Sequence, residues 1–192
     1  MPKQHPEDTE LKEIRAWTTR DSAALYNIAG WWCGFFRINA AGHVEVTPNG
    51  PAGASVDLHA LVLDLQRRGL DLPLLMRFSD ILHSRIRDLF GAFDTAIKEY
   101  GYRGRYRGVF PIKVNQQHQV VEELVRLGRP FGLGLEAGSK PELLAGMALL
   151  DNPDALLLLN GYKDVEYMET ALLGQKLGRY AIVVIDRFRE LD

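Results

Sequence analysis

The sequence has little of several features that would place it in a special class. It contains one cysteine, Cys33, which excludes an intrachain disulfide and a metal cluster built on cysteines, and which fits a reducing compartment. No apolar run approaches the roughly 18 residues that a membrane-spanning helix requires. Neither sign of charge dominates, with 23 Lys and Arg against 25 Asp and Glu, which excludes nucleic-acid binding through bulk positive charge.

What is present is the composition of a globular chain. Of 192 residues, 46% are hydrophobic and 25% are charged, which is enough apolar material to bury a core and excludes wholesale disorder. Residues 1–22 mix acids and bases around two prolines and carry no apolar targeting segment. We therefore expect a mobile N-terminal arm over 1–22, with order beginning near Leu25. The chain as a whole is expected to be soluble and cytoplasmic, binding neither nucleic acid nor membrane.

Residues 23–80 are predicted to form a β-rich segment with one short helix. Aromatic and β-branched residues over Trp31–Asn39 and His43–Thr47 flank a glycine-containing turn and predict a β-hairpin. Leucine and valine at helical spacing predict a helix over Asp57–Arg68. The apolar run Leu72–Phe78 is a further strand candidate.

Residues 81–192 are predicted to form repeated strand and helix units. A helix capped by Ser79 is expected over Asp80–Tyr100, and a capping box with proline in its first turn predicts another helix after Ser139. Apolar runs separated by helical patterns are typical of βα units around a parallel sheet. The four predicted strands are Gly108–Val114, Phe131–Leu135, Ala155–Leu159 and Tyr180–Ile185.

Polar side chains occur at the carboxyl end of each predicted strand. They are Lys113, Glu136, Asn160 and Asp186. Ligands of parallel α/β proteins bind at that edge, and desolvation of Lys113 there would favour the neutral amine that forms imines. The competing interpretation is that strand ends meet solvent and that these are ordinary loop residues.

Three other sequence patterns are weaker evidence for a functional site. Gly132–Lys140 has the wrong spacing for a phosphate-binding P-loop, and its serine precedes its lysine. Arg103, Arg105 and Arg107 could contact a phosphate backbone, but in a chain of net charge −2 a solvated segment is favoured. The five histidines show no metal-ligand spacing, so no metal-binding residue is predicted.

Five motifs together resemble one enzyme family. In chain order and over residues from about 20 to 192, they resemble the N-terminal part of the biosynthetic arginine decarboxylases. The resemblance implies an α/β fold: the first half of a (β/α)8 TIM-type barrel over 81–192, about four strands, preceded by a β-rich segment that belongs to a second β-domain. The motifs are Tyr26–Trp31, Leu72–Ile81, Pro111–Gln117, Gly134–Leu143 and Asn160–Asp164.

The family's chemistry follows from the same resemblance. It implies pyridoxal-phosphate-dependent decarboxylation of L-arginine to agmatine and CO₂ in putrescine and spermidine biosynthesis, with a Mg²⁺ requirement and homo-oligomers. Lys113 resembles the lysine that holds the cofactor as an internal Schiff base, and Glu136 and Ser139 are candidate cofactor-binding residues. The alternatives are a non-catalytic pyridoxal-phosphate-binding protein of the same barrel class and an interaction module without a cofactor.

Two departures from the family pattern stand out. Trp32 occupies a position where a glycine is expected, which affects the packing of the hairpin. The chain also stops after the predicted fourth strand, without the later strands and the C-terminal β-domain that the resemblance implies. Because an open half barrel leaves a sheet edge unpaired and apolar faces exposed, we expect a fragment that is poorly stable and inactive on its own.

Overall fold

A computed structural model describes residues 15–50 and 52–191. Its contacts divide the chain into two units, Met1–Met76 and Arg77–Asp192, whereas the sequence placed the boundary between residues 80 and 81. Most of the predicted arm, residues 1–14, lies outside the described residues. Within the described ranges, no helix combines the length and the apolar character needed to cross a membrane.

The first helix of the N-terminal unit, α1 (Thr19–Leu25), begins inside the predicted arm. Thr18 and Asp21 form a capping box: the Thr18 side chain accepts the Asp21 N–H at 3.3 Å, and the Asp21 carboxylate accepts the Thr18 N–H at 2.8 Å. These bonds satisfy donors that the first turn of a helix leaves without partners. This short helix begins six residues before Leu25, the residue near which the sequence predicts order to begin.

The predicted hairpin is confirmed, but it is shorter than the aromatic run suggested. A four-residue helix, α2 (Ile28–Trp31), comes first, and strands β1 (Phe36–Ile38) and β2 (Val44–Val46) then pair antiparallel. Cys33 and Gly34 take positive φ angles of 51° and 80° between the helix and β1. Consecutive left-handed residues are incompatible with a strand, which is why the first part of the run is not one.

A third strand, β3 (Val56–Asp57), pairs antiparallel with β2 and leads directly into helix α3 (Leu58–Arg67). Asp57 caps this helix by accepting the Ala60 N–H at 3.0 Å, and it also contacts His43 Nδ1 at 2.8 Å. The Ala60 and His43 hydrogen bonds hold the pKa of Asp57 well below its usual range. The aspartate thus joins the hairpin to the helix.

Two predictions around residue 78 are wrong. Leu72–Phe78 forms no strand; its Pro73 has no N–H to donate to a sheet. The next helix, α4 (Ser79–Glu99), is capped by Phe78 rather than by Ser79, without a side-chain hydrogen bond. The Phe78 carbonyl accepts the first helical bond, from the Ile81 N–H at 3.1 Å.

The C-terminal unit alternates strands and helices, as the sequence predicted. All four strands are parallel and lie in chain order, β4 to β7, which makes this unit an α/β fold. After α4 its elements are β4 (Val109–Pro111), a 3₁₀ turn (Ile112–Val114), α5 (His118–Gly128), a 3₁₀ turn (Arg129–Phe131), β5 (Gly134–Ala137), α6 (Lys140–Leu149), β6 (Leu156–Leu159), α7 (Val165–Lys176), β7 (Tyr180–Val183) and a 3₁₀ turn (Phe188–Glu190).

The main core lies between this sheet and its helices. Leu135 and Ala137 of β5 are fully buried in one cluster with Leu143 of α6 and Tyr167 of α7. Helix α6 approaches the sheet closely at Gly146, where a Cβ atom would meet the Leu157 side chain at 2.8 Å. This burial orients β5, and with it the residues at its carboxyl end.

The opposite face of the sheet is less covered by the described residues. Because successive side chains of a strand alternate between faces, Glu136 lies on the face opposite Leu135 and Ala137. Tyr180 and Ile182 of β7 lie on the same face as Glu136 by register, and they are 47% and 37% exposed. The sheet therefore buries one face in the main core and leaves the other partly exposed, at β7.

Candidate active site

The carboxyl ends of the four parallel strands meet at one edge of the sheet. Lys113 follows β4 in the 3₁₀ turn, Glu136 lies near the end of β5, Asn160 follows β6, and Asp186 follows β7. The register places Glu136 opposite Pro111, two residues before Lys113. The structure thus brings to one edge the four polar positions that the sequence singled out.

The Lys113 side chain is exposed, which differs from the desolvated lysine that the sequence predicted. Strand β4 ends at Pro111, and the 3₁₀ turn that follows buries Ile112, which is 3% exposed, and leaves Lys113 at the surface. The described residues therefore leave this side chain in contact with solvent.

Lys113 differs from the other lysines at this edge in having no acidic partner among the residues that the structure describes. Lys140 lies 2.8 Å from an Asp164 oxygen, and hydrogen bonds to Asp164 and Glu166 raise the pKa of Lys140. Lys163 lies 3.1 Å from a Glu190 oxygen. The Lys113 side chain forms no hydrogen bond or ion pair within residues 15–50 and 52–191. Since an ion pair holds an amine protonated and only the neutral amine is nucleophilic, Lys113 is the most available for covalent chemistry of these three lysines at the carboxyl edge.

Glu136 is a buried carboxylate without a hydrogen-bond donor. It is 5% exposed, and neither of its carboxylate oxygens has a partner among the described residues. A buried polar group costs free energy unless it is hydrogen-bonded, and a carboxylate costs more than a neutral group. Glu136 therefore requires a donor that this part of the chain does not supply, as a ligand-binding residue would.

Ser139 caps α6, and Glu142 completes a variant of the predicted capping box. The Ser139 hydroxyl accepts the Glu142 N–H at 3.4 Å. The Glu142 carboxylate does not return this bond to Ser139; it accepts the Gly138 N–H at 2.6 Å and the Gln116 side-chain amide at 3.0 Å. Glu142, which is 9% exposed, thus ties the loop after β5 to the loop that carries Lys113.

Two glycines hold the loops after β5 and β6 against each other. A Cβ atom on Gly161 would overlap the Gly138 carbonyl and would lie 2.7 Å from its carbon atom. The hydrogen bond from the Asn160 N–H to the Ala137 carbonyl, 3.1 Å long, extends the sheet pairing up to this contact. Only glycine fits at position 161 without displacing the neighbouring loop.

Tyr167 lies beneath these loops. Its hydroxyl donates to the Ala137 carbonyl at 2.9 Å, at the carboxyl end of β5. Burial, with smaller contributions from the charges of Glu136 and Glu142, raises the pKa of Tyr167 to about 12. The phenol is therefore a permanent hydrogen-bond donor that fixes the end of the strand.

The arginine segment that precedes β4 lies away from the carboxyl edge. Arg103 and Arg105 are exposed, as a solvated segment predicts. Arg107 donates to the Asp154 carbonyl at 3.1 Å and lies 5.1 Å over the Tyr180 ring. Its contacts join the segment before β4 to the segment before β6 and to the first residue of β7, so Arg107 has a structural role in this unit.

Comparison with protein families identifies the domain to which this edge belongs. The pyridoxal-binding domain of the pyridoxal-dependent decarboxylases matches residues 84–192, more than half of the chain. The chain belongs to the pyridoxal-dependent decarboxylases. The matched residues contain all four strands of the parallel sheet and the edge that carries Lys113 and Glu136.

Individual members of this decarboxylase family are similar over nearly the whole chain. It is 58% identical to the biosynthetic arginine decarboxylase of Gloeobacter violaceus, over 93% of this chain and 28% of the relative. It is 55% identical to that of a Nostoc species, over 97% of this chain and 28% of the relative. The crystal structure of the biosynthetic arginine decarboxylase SpeA from Campylobacter jejuni superposes with a TM-score of 0.78 at 36% identity, over 86% of this chain and 27% of that one. The chain thus spans little more than a quarter of the length of these relatives.

The residues at the edge fit what a decarboxylase of this family needs for pyridoxal phosphate. Pyridoxal phosphate is held through a lysine Schiff base, and Lys113 offers an amine that no acidic side chain of the described residues pairs. The orphaned carboxylate of Glu136 can accept a hydrogen bond from a bound group. The Ser139 hydroxyl accepts one bond and retains its own hydrogen to donate.

Sequence reasoning gives no functional role to two residues at this edge, Gln116 and Glu142. Both lie inside motifs that carry the family resemblance, but Gln116 only ends the Lys113 strand there and Glu142 only completes a helix cap. The signal was the capping box itself, because an acidic residue at its last position can bond a neighbouring loop as well as the helix. Which bond it forms depends on the approach of the loop after β4, and local sequence does not reveal that approach.

Proposed function

We propose that this chain carries the cofactor lysine of a pyridoxal-phosphate-dependent arginine decarboxylase, which converts L-arginine to agmatine and CO₂ for polyamine synthesis. The observation that supports this most directly is a combination at one edge: within the described part of the chain, Lys113 has no acidic partner and the buried carboxylate of Glu136 has no hydrogen-bond donor. The similar proteins named above are biosynthetic arginine decarboxylases, which supports arginine as the substrate.

Each residue has a defined task in this proposal. The Lys113 amine holds the cofactor through its aldehyde, and the carboxylate of Glu136 accepts a hydrogen bond from the bound cofactor or substrate. Ser139, the N-cap residue of α6, donates its hydroxyl hydrogen to the bound cofactor in this proposal. When bound, pyridoxal phosphate supplies an electron sink for the pair of electrons left when CO₂ departs. The residues of this chain orient the scissile bond.

The architecture of the whole enzyme is part of the proposal. We place β4–β7 as the first four strands of a (β/α)8 barrel, in which the face that bears Glu136 is the interior, and β1–β3 within a second, β-rich domain. The exposed Tyr180 and Ile182 support this placement, because a barrel would bury them. The lone cysteine supports a reducing, cytoplasmic location, and we expect a homo-oligomer.

The resemblance also implies Mg²⁺, and the described residues do not fit that ion. Within residues 15–50 and 52–191, no three His, Cys, Asp or Glu side chains gather in a group that could hold a metal ion. No step of the proposed chemistry is therefore assigned to magnesium in this part of the enzyme.

The test locates the cofactor on the chain. The full polypeptide encoded by the gene is mixed with pyridoxal phosphate, reduced with borohydride and digested, and the modified lysine is identified by mass spectrometry. We expect modification at Lys113, its loss in Lys113→Ala, and no change in the control Lys98→Ala, a surface lysine paired with Asp94. Modification of Lys140 or Lys163 in place of Lys113 would contradict the proposal.

A second measurement separates catalysis from binding. Release of agmatine from L-arginine, lost in Lys113→Ala, supports the decarboxylase. Cofactor trapped on Lys113 without release of agmatine supports the non-catalytic binding protein instead. The 192-residue chain alone is expected to release none, because the Glu136 face of its sheet is incompletely covered.

A further inference from the structure

A lysine and a glutamate at the sheet edge form an ion pair that is largely buried. Lys163 Nζ lies 3.1 Å from Glu190 Oε2, and the two side chains are 4% and 12% exposed. Lys163 belongs to the loop after β6, and Glu190 is the last residue of the 3₁₀ turn after β7. The pair therefore bridges two neighbouring loops at the carboxyl edge.

Glu190 makes two further bonds that shape its own segment. The same oxygen that contacts Lys163 accepts the N–H of Asp186 at 2.9 Å and the N–H of Arg187 at 3.4 Å. The Asp186 hydrogen bond, assisted by the Lys163 bond and opposed by desolvation, lowers the pKa of Glu190. Glu190 thus folds the segment after β7 onto itself and fastens it to Lys163.

Burial distinguishes this pair from the other ion pairs of the sheet unit. Lys98 and Asp94 are 75% and 62% exposed, and Lys140 is 37% exposed. Removing two charges from water costs free energy that their attraction only partly returns, so a buried pair is a poor source of stability compared with apolar residues of the same size. The pair has a more specific effect on geometry. Each buried charge requires the other as its partner, so the two side chains hold their loops in one relative position.

The pair continues a series of contacts that reaches the Lys113 loop. Gln116, three residues after Lys113, bonds Glu142, which bonds the N–H of Gly138. Gly138 in turn packs against Gly161, two residues before Lys163. The four loops at the carboxyl ends of β4, β5, β6 and β7 are therefore joined side by side, and the buried pair is the last connection.

We propose that Lys163 and Glu190 are positioning residues of the decarboxylase: they fix the loop after β7 against the loop after β6, so that the carboxyl edge keeps the geometry that catalysis requires. This inference rests on the proposed function. It assigns Lys163 a role distinct from that of Lys113, with no contact to the cofactor.

The experiment uses the full polypeptide with bound cofactor and three variants: Lys163→Met, Glu190→Gln and the double variant. Methionine keeps most of the lysine stem without its charge, and glutamine keeps an acceptor for the Asp186 and Arg187 N–H groups. The control is Lys98→Met, which removes an exposed pair on α4. Melting temperature, kcat, KM for arginine and borohydride trapping on Lys113 are measured for each, with kinetics well below every melting temperature.

Positioning predicts a specific pattern. Each single variant still traps cofactor on Lys113 but loses about 10-fold to 100-fold in kcat, as expected when remote substitutions displace catalytic groups by about 1 Å. The double variant regains melting temperature, because neither charge remains unpaired, but it does not regain kcat. Lys98→Met matches the parent protein throughout.

The alternatives give different results. If the pair only stabilises the fold, the variants lose melting temperature and keep kcat and KM, which overturns the inference. If Lys163→Met does not fold, the milder Glu190→Gln and the double variant decide by the same criterion. A parent protein that traps no cofactor on Lys113 contradicts the proposed function, and that outcome is visible before any variant is compared.

Discussion

Substitution of Glu142 gives the sharpest test of how the edge is held together. Its carboxylate accepts two hydrogen bonds, from the Gly138 N–H at 2.6 Å and from the Gln116 amide at 3.0 Å, and the residue is only 9% exposed. Hydrogen bonds to a charged group contribute about 1.5–3 kcal/mol each. Glu142→Ala is therefore expected to destabilise the loop after β5 by about 3 kcal/mol or more.

Glu142→Gln should cost much less. Its amide oxygen can accept the Gly138 N–H, and its amide nitrogen can donate to Gln116 if that side chain rotates by half a turn. Both bonds then survive without charge assistance, so we expect a loss of about 1 kcal/mol. Because glutamine has nearly the volume of glutamate, Glu142→Gln measures the contribution of the charge at constant side-chain volume.

Hydrogen exchange measures this effect locally, without requiring that the whole protein unfold in one step. In the full polypeptide, a loss of about 3 kcal/mol corresponds to roughly a hundredfold faster exchange of the amides around Gly138 in Glu142→Ala. Glu142→Gln should accelerate exchange less than tenfold. Equal exchange in the two variants, or a double-mutant cycle between Gln116 and Glu142 with no coupling, would refute the assignment of this carboxylate as the connection between the loops.

Two further predictions concern a loop contact and a titration. Gly161→Ala is expected to lower the melting temperature and the trapping of cofactor on Lys113, because the added Cβ atom overlaps the neighbouring loop. The control is Gly91→Ala, where an added Cβ atom would meet no other part of the protein within 4 Å. Calorimetry of this control should show a gain of about 0.5–1 kcal/mol in stability, with trapping unchanged. The second prediction rests on the lowered pKa of Asp57, which is caused first by the Ala60 N–H and then by His43. The carboxylate therefore stabilises the N-terminal unit at pH values above its unfolded pKa, near 4, and this stability is lost as pH falls toward the lower folded pKa. Melting temperature measured from pH 6 to pH 2 should fall less steeply in Asp57→Asn, and parallel curves would contradict this.

Much of the C-terminal unit could be predicted from the sequence. Apolar runs such as Ala155–Leu159 and the helical patterns between them predict alternating strands and helices, because burial on both faces of a parallel strand requires continuous apolar residues. The motif around Lys113 also identified the family, which the family model over residues 84–192 confirms. These features depend on local order along the chain, which the sequence contains directly.

The N-terminal unit was predicted less well, for a local reason. The aromatic run from Trp31 indicated a long strand, yet Cys33 and Gly34 take left-handed backbone conformations and the strand begins only at Phe36. The apolar run Leu72–Phe78 likewise pairs with no other strand within residues 15–50 and 52–191. Propensity describes what a segment can form, whereas pairing depends on neighbours that are distant in sequence.

The sequence by itself determined the family, the order of strands and helices around the sheet, and the identity of the lysine and acids at its edge. Only the tertiary structure decided their states. Lys163 is buried against Glu190, and among residues 15–50 and 52–191 the exposed Lys113 side chain finds no partner and the buried Glu136 finds no donor. The physical reason is that the charge state and reactivity of a side chain depend on its desolvation and on its neighbours, and at this edge the neighbours come from loops far apart in the chain.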